Sequence, residues 1–285
     1  MQRGRNRVKP APRDGRGKRT VRPGKAGAGG AGSDKTAGGG ERIAKRLARA
    51  GLCSRREAER WIEAGRVEVD GKVLAGPAVT VTAKSRIRVD GKPLPAAAPA
   101  RLWRYHKPRG LVTTHRDPQG RPTVFEKLPA ELPRVVAVGR LDLNTEGLLL
   151  LTNDGELARH LELPSTGWSR RYRVRVHGTP EPTALAALAG GVTVGGVRYG
   201  PVQARLDSRK GGNAWLTMSL REGKNREVRR ILEHLGLQVT RLIRTAYGPF
   251  QLGELARGAA QPVPRRVLRD QLGSEAARFG LEGRA

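Results

Sequence analysis

The stretch "VGRLDLNTEGLLLLTNDG", residues 138–155, decides the fold. Four consecutive leucines, Leu148 to Leu151, form a short apolar run bounded by turn residues, the pattern of a strand buried on both faces. Asn153-Asp154-Gly155 then turns the chain towards a helix at "ELARHL". What Asp142 does ahead of the strand has three readings. It closes an Asx turn with Asn144, it binds calcium, or it is a reactive carboxylate mounted where a rigid strand begins. The calcium reading fails. Asp142, Asn144, Glu146 and Gly147 fit positions 1, 3, 5 and 6 of an EF-hand loop, but position 12 is Asn153 where a bidentate glutamate is required.

Outward from this stretch, residues 101–270 read as one α+β domain, mostly antiparallel, with helices on one side of the sheet. "RLWRYHKPRGLVTT" reads as strand, Pro-Gly turn, strand. "RRYRVRVHG" and "AWLTMSLREGK" alternate as half-buried strands, and "QVTRLIRTAYGPFQL" returns to the sheet. "NREVRRILEHLG" is a helix with Val228, Ile231, Leu232 and Leu235 on its apolar side. Beyond residue 270 the pattern fades, so 271–285 is expected to be a tail.

Upstream, "ERIAKRLARAGLCSRREAERWIEAGRVEVDGKVL" (41–74) predicts two short helices and a hairpin. Ile43 and Leu47 share a face, Ser54 and Glu57 form a capping box, and Asp70-Gly71 makes the tight turn. A second strand and Asp-Gly turn follows in "IRVDGKPL". This small domain is expected over 41–92, with 93–100 a proline-stiffened linker. Residues 1–40 read as a basic tail too poor in apolar residues to offset the entropy of ordering. The G-x-G-x-x-G match at Gly27–Gly32 has no strand before it and no amphipathic helix after it, so it is not a dinucleotide site.

The 285 residues include 55 Lys and Arg against 26 Asp and Glu, a formal charge of +29, which calls for a polyanionic partner. No apolar run approaches a membrane-spanning length, so the expected partner is nucleic acid and not a membrane. The single cysteine, Cys53, excludes an internal disulfide and points to a cytoplasmic protein. The five histidines show no metal-ligand spacing, no P-loop or G-x-S-x-G occurs, and neither metal nor cofactor is expected. Aromatics are only 4%, which argues against an RRM-type stacking platform. What remains is an acid in a basic domain. A functional Asp142 near phosphates would need a cation to stay ionised. Arg140 is close in sequence, and Arg226, Arg229 and Arg230 are candidates through the fold.

Two resemblances narrow this. "AGLCSRREAERWIEAGRVEVDGKVL" resembles the S4 RNA-binding domain, which implies a module that grips folded RNA through its phosphates, with Arg46, Arg49, Arg55, Arg56 and Arg60 as contacts. "GRLDLNTEGLLLLTNDGELARHL" resembles the catalytic motif of the RNA pseudouridine synthases that modify ribosomal RNA, of type A for the small subunit and type B for the large. "YHKPRGLVTT", "RRYRVRVHG" and "EGKNREVRRILEHLG…VTRLIRTAYG" agree with it, in order, over about residues 41–255. The resemblance implies isomerisation of a uridine in ribosomal RNA by a monomeric enzyme without cofactor. The "EGKNREVRRI" stretch is nearer the large-subunit type. A small-subunit enzyme of the same family and a non-catalytic S4-type assembly factor remain alternatives. Carried over, Asp142 is the essential carboxylate, acting at C1′ or on the 2′ proton. Tyr172 is the tyrosine against the base, Arg229 the basic partner of the aspartate, and Arg140 the residue that helps displace the base. Lys107 is expected to hold backbone or phosphate.

Overall fold

The computed structural model describes residues 40–282; the expectations for the N-terminal tail, including the glycine motif at 27–32, lie outside the described residues. The first domain contains β1 (Glu41–Arg42), α1 (Ile43–Arg49), α2 (Arg55–Glu63), β2 (Val67–Val69), β3 (Lys72–Val73), β4 (Thr80–Val81), β5 (Ile87–Val89) and β6 (Lys92–Pro93). Ser54 and Glu57 form the anticipated capping box at the start of α2. Asp70-Gly71 and Asp90-Gly91 both take positive φ, the conformation of tight hairpin turns, and give a four-stranded sheet in the order β3-β2-β5-β6. Ile43, Leu47, Ala58, Ile62 and Val67 fill the core beneath it. Cys53 is buried there, and burial pushes its thiol up to about 11, as befits a small packed side chain.

The second domain runs through β7 (Leu102–Lys107), β8 (Val136–Val138), β9 (Glu146–Thr152), α3 (Gly155–Glu162), β10 (Arg170–His177), α4 (Pro182–Ala187), β11 (Val192–Val194) and β12 (Val197–Tyr199). It continues through β13 (Val202–Lys210), β14 (Asn213–Leu220), α5 (Glu227–His234), β15 (Gln238–Tyr247), β16 (Phe250–Gln251), β17 (Ala260–Pro262) and α6 (Arg265–Leu272). The main sheet has the order β13-β14-β10-β15-β9-β7-β17, with β8 and β16 as side branches. Its pairings are antiparallel except β9 with β15, which run parallel through Glu146 and Gly147. Every residue of β9 is buried. Leu148 and Leu150 face one cluster and Leu149 and Leu151 the other, which is why the strand reads as an unbroken leucine run.

Three expectations change. Helices cover both faces of the sheet: α3 and α6 pack on Leu148 and Leu150, while α5 packs on Val174 and Leu242. The segment after Gly110 is not a strand; only an isolated bridge joins Val112 to Thr123, and Thr113 is committed to a loop contact instead. The C-terminal segment is part of the core. Leu268 and Leu272 of α6, then Ala276, Phe279 and Leu281 around a 3₁₀ segment, are buried against Leu102 and Leu150. Leu268, Leu272, Ala276 and Phe279 follow the helical spacing of four, four and three, a stripe the sequence reading passed over, and they close one face of β7 and β9. Among the described residues no helix is long and apolar enough to cross a membrane.

Candidate active site

The loop 139–145 between β8 and β9 is held by its own carbonyls. Thr113 Oγ1 donates to Leu141 O (2.9 Å), Gly110 N to Leu143 O (2.9 Å), and Arg229 Nη2 to Asn144 O (2.9 Å). Lys107 Nζ donates to Asp142 O (3.2 Å), Thr145 O (2.9 Å) and Pro108 O (3.0 Å). Thr145 N closes a turn on Asp142 O (3.0 Å). Five consecutive carbonyls are thus engaged, and Leu141 is tucked beneath them against Tyr105 and Leu149. The Asx turn is absent: the backbone carbonyl of Asp142 makes the turn, and its carboxylate has no hydrogen bond or ion pair among the described residues. The half-buried Asp142 side chain therefore stands on a fixed base with its oxygens available.

Arg229 reaches this loop from α5, 9% exposed, bridging Asn144 O and Val239 O (3.3 Å). The direct ion pair with Asp142 does not form; the guanidinium is spent on the backbone beside it. Burial lowers the pKa of Arg229, the neighbouring Arg226 lowers it further, and the charge of Asp142 draws it back up. The two charges attract without touching. Glu227 braces the entry to α5: its Oε2 accepts from Lys224 N (2.9 Å), and Arg226 takes a left-handed conformation at φ 51°.

Tyr172 lies on β10, opposite Met218 of β14 and Arg244 of β15. Arg244 in turn pairs with Gly147 of β9, so Tyr172 is two strands, about 10 Å, from the strand that Asp142 precedes. Half-buried, it packs between the clusters on either side of the site, and its hydroxyl has no hydrogen-bond partner among the described residues. Arg229 is thereby bonded to the loop that carries Asp142, and Tyr172 lies two strands from the strand that loop enters.

Sequence reasoning missed the supporting charges. Glu146, 3% exposed, binds Arg241 Nε at 2.5 Å and Arg257 Nη2 at 3.5 Å. Burial would raise its pKa, but the bond to Arg241 and the two arginine charges win and lower it. Arg244, 3% exposed, donates to Leu148 O (2.7 Å) across the parallel pairing. Both lie within quoted motifs, but only the tertiary pairing of β9 with β15 gives them a purpose.

Lys107 has no exposed surface. Burial pulls its ammonium down to about 8, while Asp142 and Glu146 push it up and Arg244 pulls it down further. The unfolded lysine keeps its ordinary value near 10.5, so between about 8 and 10.5 the unfolded chain binds more protons and stability rises with pH. Below about 8 the full cost of burying the charge is present. Denaturant titration of wild type and Lys107→Met across this window is expected to move the difference in favour of wild type by on the order of 3 kcal/mol as pH rises. Parallel pH curves for the two proteins would show that Lys107 is not the buried group. Among the described residues no group of three or more His, Cys, Asp or Glu side chains is arranged to hold a metal ion.

Arg140 is exposed and lines a groove of about 1840 Å³ between the two domains. Arg46, Arg49, Arg55, Arg56 and Arg60 line the same groove from the first domain. Arg46 and Arg49 also bind Glu41 (3.3 and 2.7 Å), so part of their charge is committed. Across the groove Glu156 of α3 binds Lys45 of α1 and Arg278 near the C-terminus (3.8 Å), tying the domains together.

Comparison with known proteins agrees with this architecture. The family described as RNA pseudouridylate synthase matches residues 101–234, and the S4 domain matches residues 41–87. An uncharacterized RNA pseudouridine synthase of Rickettsia bellii (strain RML369-C) is 46% identical over 229 residues, 80% of this chain and 99% of that protein. The ribosomal large subunit pseudouridine synthase B of Yersinia pestis is 48% identical over 229 residues, 77% of this chain and 71% of that protein. A crystal structure of a pseudouridylate synthase superposes with a TM-score of 0.57 at 25% identity, covering 81% of this chain and 99% of that one.

Proposed function

The chain belongs to the RNA pseudouridine synthase family, and we propose that it isomerises a uridine of large-subunit ribosomal RNA with Asp142, Tyr172 and Arg229 as its catalytic residues. The observation that carries this reading is the Asp142 carboxylate, without a partner among the described residues on a loop in which five consecutive carbonyls are engaged. A structural aspartate would use its oxygens locally. This one keeps them for a ligand, beside the Arg229 guanidinium that holds the same loop through Asn144 O.

The reaction breaks N1–C1′, forms C5–C1′, and exchanges the C5 proton for one on N1. Whether Asp142 attacks C1′ or takes the 2′ proton, it starts as the same carboxylate on the same fixed loop. Tyr172 lies against the rotating uracil, and Arg140, exposed in the lining of the groove, fills the stack when the nucleotide leaves it. That extrusion costs a few kcal/mol, which the basic groove offsets through phosphate contacts. The S4 domain grips the surrounding RNA and the chain works as a cytoplasmic monomer.

The choice of large-subunit RNA is supported by relatives, 47–48% identical, whose names specify that ribosomal particle. The test uses transcripts of both ribosomal RNAs carrying tritium at uridine C5. Label is expected in water from the 23S transcript and not from the 16S transcript. Release from 16S alone would overturn the choice of 23S, and release from neither would overturn the activity on ribosomal RNA.

A further inference from the structure

Alternation along β10 sends Tyr172, Val174 and Val176 to the face covered by α5, and Arg171, Arg173 and Arg175 to the other. On that other face α3 and α6 cover the β7, β9 and β15 side, and the β10 arginines lie at the edge of that cover. Over β10, β14 and β13 the three arginines stay exposed, with Gln203 and Arg205 exposed beside them. None of the three has a carboxylate within 4.0 Å among the described residues. The nearby acids are taken: Asp207 binds Arg205 (3.0 Å) and Thr217 Oγ1 (2.7 Å), and Glu146 binds Arg241 and Arg257. Arg173 lies over the Trp215 ring at 4.6 Å, which holds its guanidinium along the sheet.

Three cations at every second residue of one strand recur about every 6.8 Å in a straight line. Like charges so placed repel one another and cost stability unless a polyanion neutralises them. Trp215, half-buried under Arg173, is the large apolar side chain on this part of the face, and Thr217 and Ser219 are hydrogen-bonding groups. Among the described residues, therefore, no broad apolar patch of the kind a lipid surface or a stable protein dock needs lies between the arginines. Arginine forks suit phosphate oxygens through paired hydrogen bonds.

We infer that this open sheet face is a second RNA-binding surface, taking the phosphate backbone of a part of the ribosomal RNA that lies outside the target site. The inference rests on the reading of ribosomal RNA as substrate. It places a grip on the reverse side of β10 from Tyr172, so that an RNA segment folded around the domain is held on both sides.

The test is filter binding of a full 23S rRNA transcript and of a short RNA hairpin across a salt series. Replacing all three arginines (R171Q, R173Q, R175Q) is expected to weaken transcript binding about 10- to 100-fold and to flatten its log–log salt slope by about two, leaving the hairpin unaffected. Gln203→Arg, which leaves β10 intact, is expected to steepen the transcript's slope. Unchanged slopes in both variants would overturn the inference, as would an equal loss for hairpin and transcript. So would loss of binding to phosphatidylserine-containing vesicles with RNA binding intact. Tritium release by wild type on the same transcript separates the two readings: no release sinks the activity and leaves the salt slopes to judge the surface.

Discussion

Replacing Asp142 by asparagine is expected to abolish tritium release while leaving the fold and RNA binding intact. The loss of turnover should be on the order of 10⁴, the scale seen when an acid is removed from a group of residues that act together. Stability should fall by no more than about 1 kcal/mol, because the Asp142 carboxylate has no hydrogen bond or ion pair to lose among the described residues, only its attraction for the buried Lys107 and Arg229 is removed, and asparagine has the same shape. RNA affinity should hold or improve, since a negative charge is removed from a site that meets phosphates. Arg229→Gln gives the contrasting pattern. Its guanidinium holds Asn144 O and Val239 O in a nearly closed environment, so the variant is expected to lose both turnover and melting temperature. Retained turnover in Asp142→Asn would refute the catalytic assignment. A large loss of stability in that variant would mean that the carboxylate holds the loop.

The order of elements and the leucine strand were legible because burial on both faces leaves an unmistakable apolar run, and the two Asp-Gly hairpins because a positive φ restricts residue choice. Asp142, Tyr172 and Arg229 could be picked out by resemblance, but their relation could not. The expected Asp142–Arg229 ion pair is replaced by a bond from Arg229 to a backbone carbonyl two residues on, and no side-chain pattern encodes where a carbonyl points. Lys107 shows the same limit. Its motif suggested backbone or phosphate, and the choice is made only when β7 and β9 pair and bring its ammonium under the loop. The C-terminal helix escaped notice because its two buried leucines, Leu268 and Leu272, are surrounded by arginines that face solvent.

Gly147→Ala is expected to be the most damaging single-methyl change in the chain. Gly147 has φ +105°, where a side chain is strained, and a Cβ there would sit 2.3 Å from Arg244 O and 2.7 Å from Arg244 N. Both are backbone atoms of β15, so neither can swing aside. Relief requires opening the parallel pairing of β9 with β15, which also carries the Arg244 bond to Leu148 O and the Arg241 bond to Glu146. The cost should exceed about 4 kcal/mol and lower the melting temperature by about 10 °C or more. Gly155→Ala is the matched control. It adds the same methyl group at the first position of α3, where nothing lies within 4 Å, and is expected to be neutral or slightly stabilising. Equal melting temperatures for the two variants would mean that β15 does not approach β9 so closely. If Gly147→Ala folds at reduced stability, its turnover is expected to fall more than its RNA affinity. The strand that shifts carries the Asp142 loop, while the groove-lining arginines of the first domain stay in place.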